Sequence, residues 1–156
     1  MTAVAVSDTG PLIHLGEIDS LELLAAFDHL YVPEMVYEEL DRGGVPDGLA
    51  HLSFERVEPA ELYPRTDELD AGERAALAVA TEREAILLTD DLAAREAASE
   101  DDLDVHGTLG VIALAHSGEL INRDEAAALM RALQRETSLF VTDRIIERGI
   151  RVLDET

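Results

Sequence analysis

Cysteine and lysine are both absent from the 156 residues, and aromatic side chains make up only 4% of them. Without cysteine there is no disulfide framework, no thiolate zinc site and no thiol nucleophile. No apolar run approaches the length of a membrane span, and "MTAVAVSDTG" has no basic region leading into an apolar core, so a soluble cytoplasmic protein with no membrane partner is expected. Positive charge is scarce as well: twelve basic residues, all arginine, stand against 34 acidic ones, for a formal net charge of −22. What is abundant is apolar residue, at 47%, enough for a substantial core. A single domain over 1–156 is expected, with 119–156 as its helical C-terminal tail.

Such charge invites a reading as disorder, but the regular apolar runs oppose it. A strongly acidic surface repels itself in dilute buffer, and the repulsion nearly vanishes at molar salt, where the Debye length is about 3 Å. The acidic, lysine-free composition resembles that of halophilic proteins from salt-accumulating haloarchaea.

Strand and helix signals alternate along the chain. "AVAV" (3–6) reads as a strand, "PLIHLGEI" as a short helix opened by Pro11, and "DSLELLAAF" as a second helix capped by Asp19 or Ser20. "LYV" is a brief strand, "PEMVYEELDRGG" a helix stopped by Gly43-Gly44, 43–51 a turn-rich stretch, and "LSFERVEP" an edge strand. An exposed loop is expected through "ELYPRT". From Asp70 come an alanine-rich helix, the apolar strand "AILLT", the helix "DDLAAREAASE" and the short strand "LDVHG". Three helices complete the chain, within 108–118, 123–136 and 141–155. This order implies crossover units, hence an α/β fold with a central parallel sheet flanked by helices.

Ligands of open α/β sheets sit beyond the carboxyl ends of the strands. Asp8 follows the first strand, and Asp90 and Asp91 follow "AILLT". Glu38 and Glu39 lie about two turns into the helix after Pro33, and Glu73 lies in the first turn of the helix opened by Asp70. Each has a plain structural account too. Asp8 and Asp90 are suited to capping the helices that follow them, Asp70 and Glu73 have capping-box spacing, and Glu38 or Glu39 fits a solvated helix face. Four segments delivering acids to one place is the less ordinary feature, because clustered carboxylates are costly unless a divalent cation neutralises them.

Hard oxygen donors select Mg²⁺ or Mn²⁺, ions that activate water against a phosphodiester without any organic cofactor. Rival readings of "SDTG" are weaker. An aspartic protease carries this motif in an all-β fold with a second copy, and none occurs here. A phosphatase using an aspartyl-phosphate would place a second aspartate where Gly10 stands. The histidines, His14, His29, His51, His106 and His116, show no metal-ligand pairing and read as core-edge or surface residues.

Taken in order, "VSDTGPLIHL", "VPEMVYEEL", "LDAGERAALAVATE", "AILLTDDLAARE" and "VHGTLGVIALA" resemble a PIN domain, the nuclease fold of VapC-type toxins, over most of the chain. Matched by position, the resemblance implies metal ligation by Asp8 and Asp90, and ligation directly or through water by Glu39 and Glu73. It leaves open whether the fourth acid is Asp90 or Asp91, the latter also suited to orienting an attacking water. It implies a catalytic set of Asp8, Glu39, Glu73, Asp90 and Asp91, with Mg²⁺ or Mn²⁺ as cofactor and an RNA substrate hydrolysed to a 5′-phosphate. Dimerisation to a homodimer and a small antitoxin partner are implied as well; the alternative is a catalytically inactive PIN-fold binding or regulatory module. Thr9, Thr89 and Thr108 are placed to hydrogen-bond the carboxylates or a phosphate. Arg95 is the basic residue best placed to meet a polyanion, ahead of Arg42, Arg74 and Arg83.

Overall fold

The structure, a computed structural model, describes residues 3–64 and 68–155. Five parallel strands form the sheet in the order β3-β2-β1-β4-β5: β1 (Val4–Ser7), β2 (His29–Pro33), β3 (Glu55–Val57), β4 (Ile86–Leu88) and β5 (Val105–His106). The register sets Ala5 opposite Leu30 on one side and Ile86 on the other. Side chains alternate across the sheet as the two-residue period of a strand requires. Ala5 and Leu88 enter one core with Leu12, Val36, Ile112 and Met130, while Val6 and Leu87 enter a second with Leu77 and Ala94.

Helices cover both faces, as the alternation of elements predicts: α1 (Thr9–Glu17), α2 (Glu34–Gly43), α3 (Ala71–Arg83), α4 (Leu92–Glu100) and α5 (Thr108–Ser117). In α3 the run Ala75–Ala80 is buried throughout. Alanine favours the helix intrinsically, and its short side chain lets α3 lie close on the sheet. The tail forms α6 (Arg123–Glu136) and α7 (Asp143–Asp154). Ala127, Met130 and Leu133 of α6 and Ile146 of α7 join the first core, so this apolar face is core packing. Ile145, by contrast, stands 48% exposed.

Local expectations need correction in three places. "DSLELLAAF" is not an α-helix: only Leu21–Ala26 coils, as a 3₁₀ helix. Neither expected cap acts as one. Asp19 takes a left-handed conformation (φ 51°), and the Ser20 hydroxyl donates back to the Ile18 carbonyl instead of accepting from the helix. The turn-rich 43–51 stretch contains a 3₁₀ helix at Asp47–His51. "LSFERVEP" is an edge strand, but pairing is limited to Glu55–Val57. The loop expected through "ELYPRT" runs partly outside the described residues, at Arg65 and Thr66.

Candidate active site

The strand order reverses between β1 and β4, since the chain builds outward from β1 through β2 to β3 and then crosses to β4. That reversal opens the crevice in which sheets of this kind hold ligands, at the carboxyl ends of two adjacent strands. Asp8 follows β1, and its backbone N–H donates to the Leu88 carbonyl at the end of β4. Asp8 is only 6% exposed. Its Oδ1 accepts from the Thr9 N–H at 2.8 Å, capping α1, and its Oδ2 accepts from the buried Thr89 hydroxyl at 2.8 Å. The capping account and the site account of Asp8 therefore hold together, one on each oxygen.

Two further threonines hold carboxylates in the same way. The Thr9 hydroxyl donates to Glu39 Oε2 at 2.8 Å, tying α2 to the start of α1. Thr108, fully buried at the start of α5, donates its N–H to Asp90 Oδ1 at 2.7 Å and its hydroxyl to Asp90 Oδ2 at 2.6 Å. Asp90 is thus not the cap of α4. Asp91 caps it, accepting at Oδ2 from the Ala94 N–H at 2.9 Å, while the Asp91 N–H donates to Thr89 Oγ1. Thr89 consequently links Asp8 to the loop carrying both aspartates.

Glu73 forms the reciprocal capping box with Asp70: the Asp70 N–H donates to Glu73 Oε1 and the Glu73 N–H to Asp70 Oδ1. Its carboxyl is nevertheless raised to about 7, chiefly by burial and further by repulsion from Asp70, Asp91 and Asp8. Burial likewise pushes Asp8 up to about 6 against the hydrogen bonds from Thr9 and Thr89, with repulsion from Asp70 and Glu39 adding to it. Gly72 permits the approach of α2 to α3, because a Cβ there would lie 2.3 Å from Glu39 Oε1.

The charges of Glu39 and Asp70 thus bear on Asp8, and those of Asp8, Asp70 and Asp91 on Glu73, which places these acids around one crevice. Asp90 lies along the same edge against Gly10, whose Cβ position would be 3.4 Å from its Oδ2. Among the described residues no three acidic or histidine side chains approach closely enough to hold a metal ion as they stand. The chemistry of the donor set does suit a hard divalent cation: every donor is a carboxylate oxygen, and two of the acids are destabilised in their charged form by burial and like charge.

Two neighbours escape sequence reading. Asp70 reads as nothing more than a cap, yet its charge bears on both Asp8 and Glu73. His14 reads as a surface or core-edge residue, yet its Nε2 lies 3.8 Å from Asp90 Oδ2 while its Nδ1 meets Glu17. Only its helical offset from Gly10, one turn along α1, hints at that placement. Arg95 Nη1 lies 3.3 Å from the Cβ position of Gly107, the point that Asp90 also approaches. Arg74 and Arg83 are occupied elsewhere, donating to the Tyr63 carbonyl and stacking on the Tyr31 ring.

A parallel sheet with acids along the carboxyl edge of adjacent strands defines an α/β domain with an acidic crevice at its switch point. Residues 4–155 match the model of the family described as PIN domain, and the chain belongs to that family. PIN domains are generally nucleases acting on nucleic acid, and they typically use divalent metal ions. Among solved structures the chain is similar to a PilT N-terminus domain protein from the hyperthermophilic archaeon Sulfolobus solfataricus P2. The two share 18% identity and superpose with a TM-score of 0.60 over 76% of this chain and 96% of the other, a likeness of fold. Among curated proteins none matches. No helix among the described residues is long and apolar enough to cross a membrane.

Proposed function

We propose that the chain is a Mg²⁺- or Mn²⁺-dependent ribonuclease, the toxin of a toxin–antitoxin pair, acting as a homodimer on RNA at molar salt. The observation that carries the reading is the threonine-held pair Asp8 and Asp90 at the reversal of strand order, with the charged forms of Asp8 and Glu73 left in want of a cation. When bound, the metal supplies a Lewis acid that acidifies water and neutralises charge building on the phosphate. Asp8 and Asp90 are the residues to hold it, with Glu39 and Glu73 contributing directly or through water.

The threonines fix the orientation of Asp8, Glu39 and Asp90, so drawing the acids in around the ion is the adjustment that binding requires. Asp91 uses Oδ2 as a cap, which leaves Oδ1 to orient an attacking water. Arg95 is the cation placed to meet a phosphate beside Asp90. In molar salt, phosphate binding through released counterions is weak for any protein, so the −22 charge is a smaller obstacle there than in dilute buffer.

A second reading, a PIN-fold module that binds without cutting, is favoured by the lack of three acids at metal-holding separation among the described residues. Cleavage of a labelled single-stranded RNA in molar KCl, with Mn²⁺ and with Mg²⁺ in turn, decides between them. Cutting that both EDTA and Asp8→Asn abolish supports the nuclease; no cutting with either metal, or equal cutting by the variant, returns the chain to the binding module.

A further inference from the structure

Charge is unevenly distributed along the chain. Residues 1–118 hold 26 acids and six arginines, whereas 119–156 hold eight acids and six arginines. The near-neutral tail flanks a groove of about 490 Å³ between α5 and α7, walled by Leu109, Ala113, Leu114, Met130, Ile145 and Val152. Ile145 and Val152 are 48% and 41% exposed. Gly149 sets the floor: a Cβ there would stand 3.1 Å from Leu109 and 3.2 Å from the Met130 sulfur, so α7 lies tight against α5. Arg148 is the charged side chain of the lining, and no carboxylate joins it. Arg144, Arg148 and Arg151 are exposed along α7, and among the described residues none has an ion pair.

We infer that this groove docks an acidic amphipathic helix of a partner protein. An aliphatic floor between two helices accepts the apolar stripe of a third, in the helix-in-groove mode. The ten residues of α5 give it a length of about 15 Å, three turns of an incoming helix. Flanking carboxylates on that helix would meet Arg144, Arg148 and Arg151, none of which has an ion pair among the described residues. A second copy seated by the same face fits poorly, since it sets its own Arg144, Arg148 and Arg151 against these cations. A single RNA strand fits poorly too: no phenylalanine, tyrosine or tryptophan lines the groove to stack its bases. The proposal is independent of catalysis and holds equally for a PIN fold that does not cut.

The test uses the full chain and fluorescein-labelled amphipathic peptides of about 14 residues. One carries leucine along a single stripe with glutamate on both flanks; its counterpart has lysine for glutamate. Anisotropy is followed at the lowest KCl concentration that gives the fully folded circular dichroism spectrum. The glutamate peptide is expected to bind at least about tenfold more tightly than the lysine peptide. Arg148→Glu should weaken it about tenfold or more, and Ile145→Gln should weaken both peptides. Both positions are exposed, and the spectrum verifies folding of each variant. Failure of the glutamate peptide to bind, equal binding of the two, or indifference to Arg148→Glu overturns the proposal. So does sedimentation of a dimer that Ile145→Gln dissociates, or loss of RNA binding with peptide binding unchanged in Arg148→Glu. RNA cleavage run in parallel should be unaffected by these variants, which keeps failure here distinct from failure of the nuclease reading.

Discussion

Replacing Asp8 by asparagine should stabilise the metal-free protein at neutral pH while destroying whatever the site does. The asparagine side chain retains an oxygen to accept from the Thr9 N–H, and its amide can donate to the Thr89 hydroxyl, so the α1 cap and the link to Thr89 both survive. What disappears is a buried negative charge. Asp8 titrates at about 6 in the folded chain against an ordinary 3.8, a difference worth about 3 kcal/mol in favour of its protonated form. Because the folded-state value is raised, the protonated carboxyl supports folding fully below about pH 4, and that support is lost as pH rises through about 6. Asparagine mimics the protonated state and does not titrate. Native and variant proteins should therefore melt together near pH 4 and diverge above it, the variant gaining about 1.5–3 kcal/mol by pH 8, or about 4–10 °C for a chain of this size. Thermal melts by circular dichroism, in molar KCl with EDTA, measure this directly. A variant that melts at or below the native temperature at pH 8 would refute the claim that burial strains this carboxylate.

Gly72→Ala should leave the melting temperature unchanged or slightly raised, since alanine is favoured in helices by about 1 kcal/mol, but the new Cβ displaces the Glu39 carboxylate. Cleavage of labelled RNA should fall about tenfold or more, and unchanged cleavage would show that Glu39 has no part in it. Thr108→Val keeps the shape and removes the hydroxyl bonded to Asp90. A loss of about 1–3 kcal/mol by chemical denaturation is expected, together with reduced cleavage. Asp91→Ala should cost about 0.5–2 kcal/mol through loss of the α4 cap, whereas Asp91→Asn retains the cap. If the Asn variant still cuts poorly, Asp91 acts on water as well as on the helix.

The parts of the fold legible in the sequence are those that depend on periodicity and on turn residues. Val4–Ser7 and Ile86–Leu88 are short apolar runs ended by aspartates, and α3 announces itself by alanine and by the Asp70–Glu73 box. With alternating strands and helices, parallel pairing follows, and acids at strand ends then face a common edge. What one sequence leaves hidden is which partner each side chain finds. Asp90 and Asp91 are adjacent and alike, and only the position of Thr108, brought in by β5 and α5, separates a carboxylate held at the site edge from one that caps a helix. Asp70 is hidden because a cap explains it fully. Leu21–Ala26 has the apolar content of a helix, but the segment winds as a 3₁₀ helix that buries Leu21, Leu23 and Leu24 in the first core, where it packs on α5 and α1.

The bond between Thr89 and Asp8 spans 81 residues, and Asp90 is held by a residue a further 18 along. No local segment can assemble this edge by itself. A chain emerging from the ribosome amino end first presents Asp8 and Glu39 long before Thr89, and Thr89 before Thr108. Until β4 has slotted beside β1 and α5 has begun, the acids are separate solvated groups with no shared field. Long-range parallel pairing is also the slow step of folding in sheets of this kind. Under the nuclease reading, a nascent chain therefore carries no assembled acidic edge until residue 108 has been added, a delay that comes from topology alone.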